Sequence, residues 1–93
     1  MALDKEVPKF LRGGNYRKIF TEYYQICCSG SVNICGFGAT IERQQGIKAA
    51  DVVEAVKMFE NIGYTAKNSL GRGVLTEKGK YIGDLLMGKS KSK

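Results

Sequence analysis

The sequence predicts one α+β domain in which three helices are followed by a two-stranded hairpin and a last helix. Apolar residues recur every three or four positions in four segments, which is the period of amphipathic helices. Two short segments rich in Tyr, Thr and Val flank a loop that contains two glycines, as is typical of a β-hairpin. With 93 residues, 43% of them hydrophobic, the chain has room for one modest core.

The first helix follows an irregular arm, residues 1–14, which Pro8 interrupts and a Gly-Gly pair closes. Asn15 is a good N-cap, so we expect this helix at about residues 16–28. Its apolar stripe consists of Tyr16, Ile19, Phe20, Tyr23 and Cys27.

Asn33 predicts the start of a second helix over about residues 34–44. The residues that share its apolar face are Ile34, Phe37, Gly38 and Ile41. Gly36 and Gly38 each weaken this helix by about 1 kcal/mol relative to Ala. That cost indicates a packing reason, such as a close neighbouring helix.

A short break at residues 45–47 leads to a third helix, at about residues 49–62, which Gly63 ends. Its inward stripe consists of Val52, Ala55, Val56 and Phe59. Its opposite face consists of Ala50, Glu54, Lys57 and Asn61, about half a turn away at 100° per residue.

Two short strands follow, at residues 64–67 and 74–75. The turn between them, residues 68–73, contains Gly71 and Gly73. The strands can therefore pair as a hairpin.

The last helix begins after Thr76, a good N-cap, with Glu77 in its favourable first turn. Its apolar stripe consists of Tyr81, Ile82, Leu85 and Leu86. Gly88 ends it, so the domain covers residues 15–88 and is followed by a basic tail at residues 89–93.

The order of helix, helix, short turn, helix, hairpin and helix is that of a winged helix-turn-helix, with the hairpin as the wing. Ile47 can fill the angle between the second and third helices, and the third helix then presents its N-terminal end outward. Such an end fits the major groove of DNA, which is about 12 Å wide.

The charge is unevenly distributed along the chain. The net charge of +6 divides into +3 over residues 1–18, −2 over residues 19–64 and +5 over residues 65–93. Basic ends around a near-neutral body favour a polyanionic partner, with a generic basic surface as the alternative.

The cysteines and the missing histidine bear on catalysis and metal binding. Three cysteines, Cys27, Cys28 and Cys35, and no histidine argue against a zinc site and against histidine-based acid–base catalysis. We expect free thiols, with a disulfide between subunits as the alternative. We expect no cofactor, no metal and no enzymatic activity, since there is no phosphate loop and no paired carboxylate setting. No apolar run is long enough for a membrane span or a signal peptide, so we expect a cytoplasmic protein.

Candidate DNA-binding residues surround the turn and the hairpin loop. Those at the turn are Arg43, Gln44, Gln45, Lys48, Ala49 and Ala50. The basic and amide side chains suit phosphates, while the two alanines let the backbone approach the bases. Those on the hairpin are Lys67, Asn68, Ser69 and Arg72. We expect Arg72 to enter a narrow minor groove, where the negative potential is enhanced.

Three motifs resemble PadR-like winged-helix regulators. Residues 35–41 (CGFGATI) resemble the start of their second helix, residues 59–64 (FENIGY) the end of their recognition helix, and residues 75–79 (LTEKG) the start of their last helix. The resemblance covers about residues 15–87 and implies a homodimer that grips an inverted repeat in double-stranded DNA. Val53 departs from it, since these regulators usually have a tyrosine there.

The same resemblance implies that the terminal helix builds the dimer interface. This last helix is short, so the first helix or the arm is a further candidate. The residues expected at the interface are Tyr16, Phe20, Tyr81, Ile82, Leu85 and Leu86. Gly79 and Gly83 make one face of the last helix flat, which suits either a second subunit or the protomer's own first helix.

The length and short form also resemble archaeal plasmid segregation proteins of this family. The resemblance implies a centromere-binding component that spreads on DNA and recruits a ParB-like adaptor. A PadR-like transcriptional repressor is the first alternative. A winged-helix module that binds protein and not DNA is the second, and the acidic residues on the third helix favour it, namely Asp51, Glu54 and Glu60.

Overall fold

The structure is a computed structural model that describes residues 8–11 and 13–88, with the side chain of Cys35 left out. Most of the predicted arm (residues 1–7 and 12) and the whole basic tail lie outside the described residues. Within the described part the fold is α+β, with four α-helices and one two-stranded antiparallel sheet. The elements are α1 (Gly14–Ser29), α2 (Ile34–Gln45), α3 (Ala49–Asn61), β1 (Thr65–Lys67), β2 (Gly73–Leu75) and α4 (Glu77–Leu86). This order of elements confirms the prediction.

Helix α1 begins two residues earlier than predicted. Gly13 is its N-cap and Asn15 lies inside its first turn, so the prediction of an Asn15 cap is wrong. The buried residues of α1 are Ile19, Phe20, Tyr23 and Tyr24. Tyr24 was missed because its ring is buried while its hydroxyl is bonded to a polar partner, the carboxylate of Asp84.

The core lies between α1 and α3, with α4 packed on the other part of α1. The ring centroids of Phe20 on α1 and Phe59 on α3 are 5.0 Å apart. A 3₁₀ turn at Lys9–Leu11 joins this core, since Leu11 is completely buried and Phe10 stacks on Phe59. The expectation of an irregular arm is therefore wrong for residues 8–11, because two apolar side chains there have a core to enter.

Helices α2 and α3 meet at a turn of residues 46–48, one residue later than the predicted break at residues 45–47. Gly46 adopts the left-handed conformation, with φ of 74°, and its N–H donates to the carbonyl of Glu42. Ile47 is 4% exposed and fills the angle between the helices, as predicted. A Cβ on Gly38 would lie 3.4 Å from that of Ala49, so the expected close approach of the helices occurs there.

The hairpin pairs β1 with β2 in antiparallel register, with Ala66 opposite Val74. An isolated bridge between Val32 and Gly73 also attaches β2 to the segment before α2. Thr76 caps α4 as predicted, because its hydroxyl accepts the N–H of Gly79 at 3.1 Å.

The flat face of α4 is used inside the protomer. A Cβ on Gly79 would lie 2.8 Å from the carbonyl carbon of Tyr64, and one on Gly83 would lie 2.7 Å from Cε1 of Tyr24. Real Cβ atoms do not approach that closely, so these glycines are needed for packing within the chain. The sequence left open whether this face packs against a second subunit or against the protomer's own first helix. Gly83 packs against Tyr24, which lies on that first helix.

The predicted dimer interface is partly wrong. Three of its residues are buried within the protomer, because their side chains fill its own core: Phe20, Ile82 and Leu86. Tyr16 and Tyr81 are exposed and Leu85 is half-buried, so only these three reach the surface. Within the described residues, no helix has the length and apolar character that a membrane span requires.

Candidate nucleic-acid interface

The first turn of α3 points to solvent. Lys48 and Ala50 are exposed and Ala49 is half-buried. The opposite stripe of the helix is buried as predicted, and it consists of Val52, Ala55, Val56 and Phe59. Because the core holds that stripe, the start of α3 is presented outward as a rigid convex edge.

The end of α2 lies next to this edge. Arg43 and Gln44 are exposed and Gln45 is half-buried. Since α2 and α3 are packed against each other and joined by three residues, the turn brings these side chains close to Lys48. The six candidate residues of that region therefore lie on the two sides of one short turn.

Glu42 is an unpredicted member of this surface. Its Oε1 accepts the backbone N–H of Ala49 at 3.3 Å, so a carboxylate lies at the positive end of α3. This is the helix end that the sequence predicts to enter the major groove of DNA. No local pattern indicates this contact, because only the geometry of the turn brings a residue seven positions earlier to the start of the next helix.

The outward face of α3 carries mixed charge. Its members are all exposed, and they are Ala50, Val53, Glu54, Lys57 and Asn61. Val53 is 38% exposed, which is ordinary for a single apolar side chain on a protein surface. Lys57 supplies a cation in the middle of this face. It lies on the face as predicted but was not among the candidate DNA-binding residues. Asp51 and Glu54 line a shallow pocket beside Tyr16.

Asn68 organises the hairpin loop, residues 68–72. Its Oδ1 accepts the N–H groups of Leu70 at 2.9 Å and Arg72 at 3.0 Å. Its own N–H donates to the carbonyl of Arg72, and its carbonyl accepts the N–H of Gly71. The side chain predicted to contact DNA is thus occupied in holding the loop.

Arg72 is held against the protein. Its Nε donates to Oγ of Ser31 at 2.6 Å and its Nη2 donates to the Ser31 carbonyl at 3.2 Å. Arg72 is also half-buried. We expected its side chain to be free to reach into a minor groove, but it instead connects the loop to the segment before α2. The two residues are 41 positions apart, which hides the contact from sequence patterns.

Three other hairpin residues are accessible. Nζ of Lys67 lies 3.7 Å from Oε2 of Glu60, and its side chain is 55% exposed. A surface ion pair of this kind contributes at most about 1 kcal/mol, so a phosphate can replace the carboxylate. Ser69 is exposed as predicted. Leu70, which was not among the candidate DNA-binding residues, is 80% exposed.

A second group of polar residues lies away from this surface. An open cleft of about 320 Å³ lies between α1, β2 and α4, and its lining includes Cys27, Cys28 and Lys80. Burial raises the pKa of the Cys27 thiol to about 11, while Cys28 is exposed. Burial and the bond to Asp84 raise the pKa of Tyr24. Among the described residues, no three His, Cys, Asp or Glu side chains are grouped to hold a metal ion.

The two sets of predicted DNA-binding residues therefore differ in how they are placed. Four of the six turn residues are exposed and two are half-buried, whereas two of the four hairpin residues hold the loop in shape. Comparison with protein-family models, with curated proteins and with solved structures finds no match for this chain.

Proposed function

We propose that this chain is a winged-helix protein that binds double-stranded DNA. Helices α2 and α3 form the helix-turn-helix, and the β1–β2 hairpin is the wing. The observation that carries the proposal is the exposed first turn of α3, which has Lys48 and Arg43 beside it and a fully buried stripe behind it.

The first turn of α3 enters the major groove in this proposal. Ala50 is small and exposed, so the helix can approach base edges closely and meet a thymine methyl. Arg43 and Lys48 then face the phosphates on either side, and Lys67 on the hairpin meets the neighbouring backbone. Each such contact releases a counterion, which makes binding dependent on salt.

The proposal extends to a homodimer on an inverted repeat, as the PadR-like motifs imply. The surface members of the expected interface, Tyr16, Tyr81 and Leu85, are the residues left for it. The cellular role we propose is that of a centromere-binding component in the cytoplasm, which spreads on plasmid DNA and recruits a ParB-like adaptor. A PadR-like repressor is the alternative role.

The test of DNA binding is a fluorescence anisotropy titration with a labelled duplex of about 20 base pairs at several salt concentrations. Lys48→Gln should weaken binding and lower the salt slope by about one, because one phosphate contact is lost. Glu42→Gln should tighten binding about two- to fivefold at low salt, because the negative charge at the helix end disappears.

The matched control is Lys80→Gln, which removes an exposed lysine of α4 outside the candidate interface and should keep the wild-type slope. If the wild-type protein shows no salt-dependent binding to the duplex, the proposal is refuted. Equal losses of affinity for Lys48→Gln and Lys80→Gln would show that only the total charge matters. DNase footprinting over a range of protein concentrations separates the roles, since extended protection supports partition and a compact footprint supports repression.

A protein-interaction module is the second candidate function. The observation that favours it is the acidic character around the proposed recognition helix, where Glu42 lies at its start and Asp51 and Glu54 are exposed on its first two turns. These carboxylates repel phosphate, although one of them can accept a hydrogen bond from cytosine. Wild-type protein that shows no affinity for DNA at low salt would favour this function.

A further inference from the structure

The hairpin loop carries the most exposed large apolar side chain among the described residues. Leu70 is 80% exposed, against 45% for Tyr81, the next in order. Single exposed leucines are common on protein surfaces, so the exposure alone has no meaning. What sets Leu70 apart is the way in which the loop holds it and the side chains that surround it.

The loop is rigid before any partner arrives. The carboxamide oxygen of Asn68 accepts the N–H of Leu70 itself, and Gly71 takes the left-handed conformation, with φ of 77°, that closes the turn. The N–H of Asn68 also donates to the carbonyl of Arg72 at 2.9 Å. A side chain on a preordered loop loses little backbone entropy on binding, so its burial contributes fully to affinity.

The cations of the hairpin lie behind this tip. The Arg72 guanidinium is bonded to Ser31 at the base of the loop, and Lys67 lies on β1 beside Glu60. Next to Leu70 the chain has only Ser69 and Gly71, which are small. The hairpin therefore ends in one apolar side chain that has small residues on both sides and positive charge set back from it.

We propose that Leu70 enters the minor groove of the bound DNA, where its side chain packs against the sugar walls and inserts partly between two base pairs. This inference rests on the proposed function and deepens it. The groove is about 6 Å wide, which admits one aliphatic side chain, and leucine is among the residues that other proteins insert there. The hairpin, residues 65–75, contains Lys67 and Arg72 and no acidic residue, which favours a polyanion over an apolar protein surface as the occupant.

Two properties separate this contact from the one first expected of Arg72. An apolar contact leaves the salt slope unchanged when it is removed, because no counterion is involved. An inserted leucine also unstacks a base step and bends the duplex, which a phosphate contact does not do.

The experiment compares Leu70→Ala with wild-type protein on the same duplex, with Gln25→Ala, an exposed position of α1 outside the candidate interface, as the control. We expect Leu70→Ala to bind about tenfold more weakly at every salt concentration, with the wild-type slope. We also expect it to reduce the bend that energy transfer between dyes at the two DNA ends reports. Gln25→Ala should change neither quantity, and thermal unfolding of both variants should match the wild type because both side chains are exposed.

Three results overturn the inference in different ways. If Leu70→Ala binds and bends DNA as the wild type does, the leucine contact is wrong and the proposed function stands. If Leu70→Ala instead loses only its association with another protein, the occupant of the tip is that protein and not DNA. If the wild-type chain shows no salt-dependent DNA binding, both proposals fail together.

Discussion

Replacement of Gly79 by alanine tests the packing of α4 on the hairpin. A Cβ at this position would lie 2.8 Å from the carbonyl carbon of Tyr64 and closer still to its oxygen. That oxygen already accepts the N–H of Thr76 at 3.0 Å, so the backbone cannot turn away without loss of the bond that starts α4. Overpacking against backbone costs about 1–3 kcal/mol, and a lost buried hydrogen bond costs about 1 kcal/mol more.

Helix propensity opposes this cost, because alanine is favoured over glycine by about 1 kcal/mol inside a helix. The net effect is a destabilisation of about 1–3 kcal/mol. For a domain of this size each kcal/mol lowers Tm by about 4–8 °C, so we expect a loss of about 5–20 °C. Gly36→Ala on α2 is the matched control, since a Cβ there would meet only the Asn33 side chain, at 3.8 Å or more. This control should raise the stability by up to about 1 kcal/mol.

The assay is thermal unfolding followed by circular dichroism at two protein concentrations that differ tenfold. If Gly79→Ala lowers Tm by the same amount at both concentrations, the glycine face of α4 packs inside the protomer. The reasoning is refuted if Gly79→Ala unfolds like the wild type. It is also refuted if the loss grows on dilution, because the glycine face would then belong to a subunit interface.

Two further predictions concern the core. Leu11→Ala should lower the free energy of unfolding in urea by about 2–5 kcal/mol, because Leu11 is completely buried. Lys9→Ala, on the exposed side of the same turn, is the control. A loss below about 1 kcal/mol for Leu11→Ala would show that this turn is not part of the core. Burial raises the pKa of Tyr23 from 10.0 to about 12, so its contribution is complete below pH 10 and is lost as the pH rises toward 12, by up to about 1.4 kcal/mol per pH unit. Tyr23→Phe should flatten this alkaline fall in stability, and an unchanged pH profile would show that Tyr23 ionises as freely in the folded protein as in the unfolded one.

The helices and the hairpin were predictable because their signals are local. The α3 stripe from Val52 to Phe59 has a spacing that only a helix can bury on one side, and the glycine-rich turn before β2 fixes the hairpin. The plug at Ile47 follows from the same local pattern, since it is the only apolar residue of a three-residue turn.

The details of the candidate site depend on contacts between distant residues. The bond from Arg72 to Ser31 and the one from Ala49 to Glu42 join separate elements, so no periodicity or propensity indicates them. Their effect is large, since one removes a cation from the tip and the other places an anion at a helix end. The interface prediction was wrong for Ile82 and Leu86 for a related reason, because an apolar stripe on α4 fits the protomer's own core as well as it fits a second subunit.

The short ladder between Val32 and Gly73 has a mechanical consequence. Together with the Ser31–Arg72 bonds it fastens the hairpin to the segment that leads into α2, and so connects the two parts of the protomer that the proposed function places on DNA. If the start of α3 and the hairpin keep a fixed distance, the two DNA sites that they contact must lie at a fixed angular offset around the double helix. For a DNA-bound protomer, the local twist of the duplex is then part of what is recognised, even at base pairs that no side chain touches.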